Sequence, residues 1–143
     1  MSNELFVTCP HCHRKNRMPA EKLTAHGTCG ACKESLFTGK PIALTQSSFA
    51  QHLGGDVPIV VDFWAPWCGP CLQFAPTFEA ASAVLEPKVR LVKVNTEDET
   101  ALAQRFGIRS IPTLMIFKQG KEVARVSGAM PAAQFQKWVI AQL

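Results

Sequence analysis

Six cysteines fall into three pairs of one spacing, Cys9/Cys12, Cys29/Cys32 and Cys68/Cys71, with none left over. A C-x-x-C turn brings two sulfurs together, so each pair is a dithiol catalyst, half a metal site or a disulfide. The compartment helps to decide between these. Residues 1–6 (MSNELF) lack the basic start and long apolar run of a secretory signal. No stretch approaches the ~18 consecutive apolar residues of a membrane span. The expectation is a cytoplasmic protein with no membrane attachment. In that reducing setting cysteines serve as metal ligands or redox catalysts before they serve as structural disulfides.

The chain changes character near residue 40. Residues 1–38 hold four of the cysteines but few large apolar side chains, too few for a core without a staple. Thr38-Gly39-Lys40-Pro41 reads as a linker, which divides the 143 residues into a small module, 1–40, and one ordinary domain, 41–143. Residues 1–40 carry six Lys/Arg against three Asp/Glu (+3), and the remainder nine against eight (+1). Four thiolates on one Zn²⁺ would add about −2 to the module, so the basic excess is modest and no nucleic-acid partner is expected.

From residue 41 strands and helices alternate. Residues 41–44 suit a short edge strand. Ser47 or Ser48 can cap a helix carrying Phe49 and Leu53 that stops at Gly54-Gly55. Residues 59–63 (IVVDF) form a nearly continuous β-branched run, the pattern of a central strand buried on both faces. A helix is predicted over 69–85, with Pro76 inside it, followed by an apolar strand over 89–94. Thr96 and Glu99 have the spacing of a capping box for a helix bearing Leu102 and Phe106 and ended by Gly107. Residues 113–117 and 123–127 flank a Gln119-Gly120 hairpin turn. Pro131 suits the first turn of a last helix. This order implies an α/β fold, a mixed sheet with helices on both sides.

Residues 64–71 (WAPWCGPC) lie between the buried strand and the 69–85 helix. Cys68 is thereby expected at a helix N-terminus, where free N–H groups and the helix dipole favour the attacking thiolate. Cys71, one turn further in, is expected to be shielded and to resolve the mixed disulfide. Asp62 stands inside the apolar run, where burial raises a carboxyl pKa. Near the resolving thiol it could take and return that proton through water; the alternative is a structural ion pair with Lys93. Trp64 is expected in the core and Trp67 at the surface.

Residues 61–71 (VDFWAPWCGPC), Lys93-Val94-Asn95 and residues 106–113 (FGIRSIPT) resemble the thioredoxin family, in order and at suitable spacing, over roughly residues 42–143. With two further C-x-x-C pairs ahead of it, the chain is similar to the second bacterial thioredoxin type, which carries a zinc-binding extension. The resemblance implies the thioredoxin fold and protein disulfide reductase activity on disulfide-bearing protein substrates. It also implies re-reduction by an NADPH-dependent thioredoxin reductase, a cis bond before Pro112 against the cysteines, and no organic cofactor bound to the chain. A peptide-docking surface of Trp67, Gly69, Pro70, Ile111, Pro112, Gly128 and Ala129 follows from the same likeness. A monomer is expected.

Cys12 and Cys29 are separated by sixteen residues, within the C-x₂-C-x₁₅₋₂₀-C-x₂-C range that reads as zinc. Cys9, Cys12, Cys29 and Cys32 would form a closed tetrahedral site, zinc-ribbon-like and structural or redox-responsive. Cys9-x-x-Cys12-His13 also fits a c-type haem attachment, and the four thiols could instead form disulfides; the complete ligand set and the compartment favour zinc. His11, His13 and His26 are expected to face solvent. Two functional alternatives remain: a disulfide-forming or isomerising enzyme on the same fold, and a scaffold whose module docks a partner.

Overall fold

The computed structural model describes residues 3–143. The central sheet has the order β3-β5-β4-β6-β7, with β3 at Ile42–Ala43, β4 at Ile59–Trp64, β5 at Arg90–Asn95, β6 at Thr113–Lys118 and β7 at Lys121–Ser127. β3, β5 and β4 run parallel, β6 pairs antiparallel with β4, and β7 pairs antiparallel with β6. Helices α1 (Gln46–Leu53), α2 (Gly69–Leu85), α3 (Thr100–Arg105) and α4 (Ala132–Ile140) cover both faces.

The alternation of a strand assigns its residues to two cores. Val60 meets Phe74 and Phe78 of α2 and Phe135 and Val139 of α4. Ile59, Val61 and Phe63 meet Phe49 of α1 and Leu102 of α3. β4 is therefore buried on both sides, as its β-branched run requires, and Asp62 is carried on the α2 side. Among the described residues no helix is long and apolar enough to cross a membrane.

Three local expectations are corrected. α1 is capped by Thr45, which forms a capping box with Ser48; Ser47 and Ser48 are already inside the helix. The Thr96/Glu99 box does not form, and α3 begins only at Thr100. Thr96 Oγ1 donates instead to the Trp64 carbonyl at 3.0 Å, and Glu99 Oε1 accepts from the Gln46 amide at 2.8 Å. Tertiary partners have taken both side chains from the local motif. Pro131 is the residue before α4 and not part of its first turn. The Gln119-Gly120 turn forms as expected, with φ of +53° and +78°, the two left-handed residues of a type I′ hairpin.

Strands β1 (Glu4–Thr8) and β2 (Lys15–Pro19) pair as an antiparallel hairpin ahead of this sheet. Its small core of Val7, Cys9, Cys29, Leu36 and Phe37 includes Val57, from the loop between α1 and β4. The Phe6 amide donates to Asp56 Oδ2 at 2.7 Å, the Asp56 amide to the Phe6 carbonyl at 2.8 Å, and Thr8 Oγ1 to the Gln51 carbonyl at 2.8 Å. His13 does not simply face solvent: its Nδ1 lies 3.0 Å from Nε2 of buried His52. Burial, with Arg90 and His13 nearby, pushes the His52 pKa down to about 3, so this imidazole is neutral at physiological pH.

Candidate redox centre and four-cysteine centre

β4 ends at Trp64, and three loop residues later Cys68 caps α2. The Cys68 carbonyl accepts the Leu72 amide at 3.1 Å, and its Sγ accepts the Cys71 amide at 3.2 Å. A sulfur that receives an N–H at the positive end of a helix is stabilised as thiolate. Pro70 sits in the first turn, where no amide is needed. Cys68 and Cys71 form a disulfide with Cα atoms 5.2 Å apart. They are 5% and 2% exposed, so in this oxidised form exposure hardly separates them. Their hydrogen bonding does, because only Cys68 Sγ receives the helix amide.

Ile111–Pro112 is cis, as the resemblance implied. The Ile111 carbonyl oxygen lies 3.8 Å from Cys68 Sγ. Gly128, at φ +100°, donates its amide to the Pro112 carbonyl at 2.8 Å, which ties the end of β7 to the same loop. Trp67 is 70% exposed, and Gly69, Pro70 and Ala129 are exposed beside half-buried Ile111 and Gly128. Pro112 itself is buried. Trp64 is half-buried and packs on the cysteines with Ile111.

Asp62 is fully buried, and neither carboxylate oxygen has a partner. Burial pushes its pKa up to about 7 against the opposing pull of Lys93. Lys93 is its register partner on β5. Among the described residues, however, no cation lies within 4.0 Å of this carboxyl; the Lys93 ammonium stands 4.4 Å over the Trp64 ring. The expected alternative of an ion pair is not formed. Lys93 also lines an open cavity of about 200 Å³ with Lys40, Pro41, Ala75 and Glu79.

The remaining four cysteines converge, with all Sγ atoms within 4.8 Å of one another. Cys9 and Cys32 sulfurs are 3.6 Å apart, and those of Cys12 and Cys29 3.7 Å. Tetrahedral Zn–S bonds of ~2.3 Å require sulfurs about 3.8 Å apart, so the set fits zinc. The two turns repeat one geometry. His13 and Lys33 are left-handed at φ +62° and +68°, and each donates its amide to the carbonyl of the first cysteine of its turn, at 3.0 and 2.9 Å. Amides of His11 and Cys12 point at Cys9 Sγ, and those of Ala31 and Cys32 at Cys29 Sγ. The Cys32 amide and the Asn16 Nδ2 each lie 3.5 Å from Cys29 Sγ, donors that suit a metal-binding thiolate.

Sequence reasoning missed Asp56, His52 and Arg90, which join the module to the sheet. A buried arginine did have a signal, its place inside the apolar run of residues 89–94 (VRLVKV).

A redox dithiol at a helix N-terminus, facing a cis-proline loop on a mixed sheet, defines a thiol–disulfide oxidoreductase. Comparison with known proteins agrees. The family model described as Thioredoxin matches residues 40–141, and one described as Thioredoxin 2, N-terminal, a zinc ribbon, matches residues 8–34. Thioredoxin C-3 of Corynebacterium nephridii is 41% identical over 140 residues, 97% of this chain and 96% of that protein. Thioredoxin 1 of a Nostoc species is 53% identical over 89 residues, covering 62% of this chain and 83% of that one. The solved thioredoxin of Malassezia sympodialis superposes with a TM-score of 0.65 at 36% identity, covering 70% of this chain and 88% of that one. The chain belongs to the thioredoxin family. Its N-terminal segment, with four clustered cysteines, is of the zinc-ribbon kind found in the second thioredoxin type.

Proposed function

We propose that the chain is a cytoplasmic, monomeric protein disulfide reductase, re-reduced by an NADPH-dependent thioredoxin reductase. The observation that carries this reading is the Cys68–Cys71 disulfide at the N-terminus of α2, against the Ile111 carbonyl. In the reduced enzyme the Cys68 thiolate attacks one sulfur of a substrate disulfide, and the other substrate sulfur leaves as thiolate. Asp62 takes the Cys71 proton through water. The Cys71 thiolate then attacks Cys68 Sγ and displaces the second substrate thiolate, which Asp62 reprotonates by the same route. Substrate gains two electrons, one of its thiolates takes the Cys71 proton by way of Asp62 and the other takes a proton from solvent, and the enzyme keeps the disulfide. Lys93 biases the ionisation of Asp62. Pro112 holds the substrate-facing loop against Cys68, and Trp67, Gly69, Pro70, Ile111, Gly128 and Ala129 receive the peptide. Catalysed insulin reduction with dithiothreitol tests the reading. A rate equal to dithiothreitol alone would favour the scaffold alternative.

Cys9, Cys12, Cys29 and Cys32 hold one Zn²⁺, whose chemistry there is that of a closed structural clamp. Cys29→Ser is expected to abolish stoichiometric zinc and loosen residues 3–38, since binding free energy in such modules is folding free energy. Metal analysis with amide exchange checks it, and full zinc content in the variant would refute the ligand set. The division into residues 1–40 and 41–143 predicts that the second part folds and reduces insulin alone. The shared core adds a qualification. Val57 would lose its cover, which is worth roughly 2 kcal/mol for a buried valine. Urea unfolding of residues 41–143 should therefore show a stability loss of at least that order; none would mean that the module contributes nothing to the sheet.

A further inference from the structure

Arg90 opens β5, paired with Ile59 at the start of β4. The redox pair follows the other end of β4, roughly 17 Å away along the strand at ~3.4 Å per residue. The side chain is 2% exposed. Its Nη2 donates to the Thr8 carbonyl at 2.9 Å and to the Leu36 carbonyl at 2.8 Å. Its guanidinium lies 4.5 Å over the Phe37 ring. Thr8 immediately precedes Cys9, and Leu36 and Phe37 follow the Cys29/Cys32 turn. One side chain of the catalytic sheet thus grips both cysteine-bearing arms.

The grip leaves a charge to be balanced. Among the described residues no carboxylate lies within 4.0 Å of Arg90, and its Nη1 has no partner. Glu86, the buried acid nearby, spends Oε1 on the Gly39 amide at 2.8 Å. A buried cation is costly unless it is balanced, and Glu86, whose Oε2 has no hydrogen-bond partner, balances Arg90 only through space. A tetrathiolate that holds Zn²⁺ carries a net charge near −2, and the peptide that Arg90 bonds leads directly into one of its ligands. Groups beyond the ligands that orient them and balance their charge typically change metal affinity about 10- to 100-fold.

We infer that Arg90 is the latch and counter-charge of the four-cysteine centre, so that the catalytic sheet sets how tightly the module keeps its zinc. This rests on the zinc reading above. The test uses the full chain and follows zinc loss to a colorimetric chelator. Arg90→Met removes both the fork and the charge, and should speed zinc loss by about 10- to 100-fold. Arg90→Lys keeps the charge without the fork and should fall between it and the wild type. Insulin reduction should persist in both, because the redox pair is at the far end of the strand. Wild-type release from a folded Arg90→Met protein overturns the inference. Should that variant not fold, Arg90→Lys decides: several-fold faster release supports the latch, and an unchanged rate refutes it. Metal analysis of the wild type keeps the two readings apart. If the wild type holds no zinc, the zinc reading fails. Trypsin cleavage after Lys22 or Lys33, both exposed, then tests the latch alone, with faster cleavage in Arg90→Met supporting it and an unchanged rate refuting it.

Discussion

Cys68→Ser is expected to reduce disulfide turnover to the uncatalysed background, whereas Cys71→Ser should accumulate mixed disulfides through Cys68. The asymmetry follows from where the two sulfurs stand. Cys68 Sγ receives the Cys71 amide at 3.2 Å at the head of α2, so its thiolate is the better stabilised nucleophile. Without Cys71 the first exchange still proceeds, but nothing within the chain can attack the bond that forms. Mass spectrometry of trapped adducts reads the order. Adducts on Cys71 in the Cys68 variant, with none on Cys68 in the other, would reverse the assignment.

Asp62→Asn is expected to give the second-largest effect, and in opposite senses for stability and rate. The Asp62 pKa rises from 3.8 to about 7 on folding. Below pH 4 the group is protonated in both states and costs nothing. As pH rises from about 4 to 7 the unfolded chain loses this proton while the folded chain retains it, so stability falls. Above about 7 both states are ionised and the loss is complete, on the order of 4 kcal/mol at ~1.4 kcal/mol per pKa unit. Asn carries no charge at any pH, so the variant should be the more stable protein at pH 8 and nearly matched at pH 4. It cannot accept the Cys71 proton, and the resolving step near neutrality should slow by about tenfold or more. Parallel stability profiles across pH 4–8 with unchanged turnover would make Asp62 an ordinary core residue.

What could be read from the sequence was what is encoded locally. The buried character of residues 59–63, the extent of α2 and the two kinds of cysteine pair all depend on spacings of a few residues, and each reappears in the structure. What escaped depends on partners far along the chain. Thr96 and Glu99 have capping-box spacing, yet the Trp64 carbonyl and the Gln46 amide claim them. Lys93 sits beside Asp62 in register, but its ammonium goes to the Trp64 ring. His13 meets His52, and Arg90 meets Thr8 and Leu36; no periodicity announces contacts across such separations. The docking loop around Pro112 was legible only through family resemblance, since nothing in a run such as FGIRSIPT dictates that it will face a cysteine.

The central claim is that electrons leave this protein through Cys68 and Cys71, and through no other pair. The direct measurement is a single turnover. The full chain, pre-reduced and freed of reductant, is mixed with insulin, and its cysteines are then mapped by peptide mass spectrometry. We expect one substrate disulfide reduced per chain, a new Cys68–Cys71 bond, and Cys9, Cys12, Cys29 and Cys32 still recovered as thiols. Reduction of insulin with Cys68 and Cys71 left as thiols, or oxidation of the four-cysteine centre in their place, would contradict it.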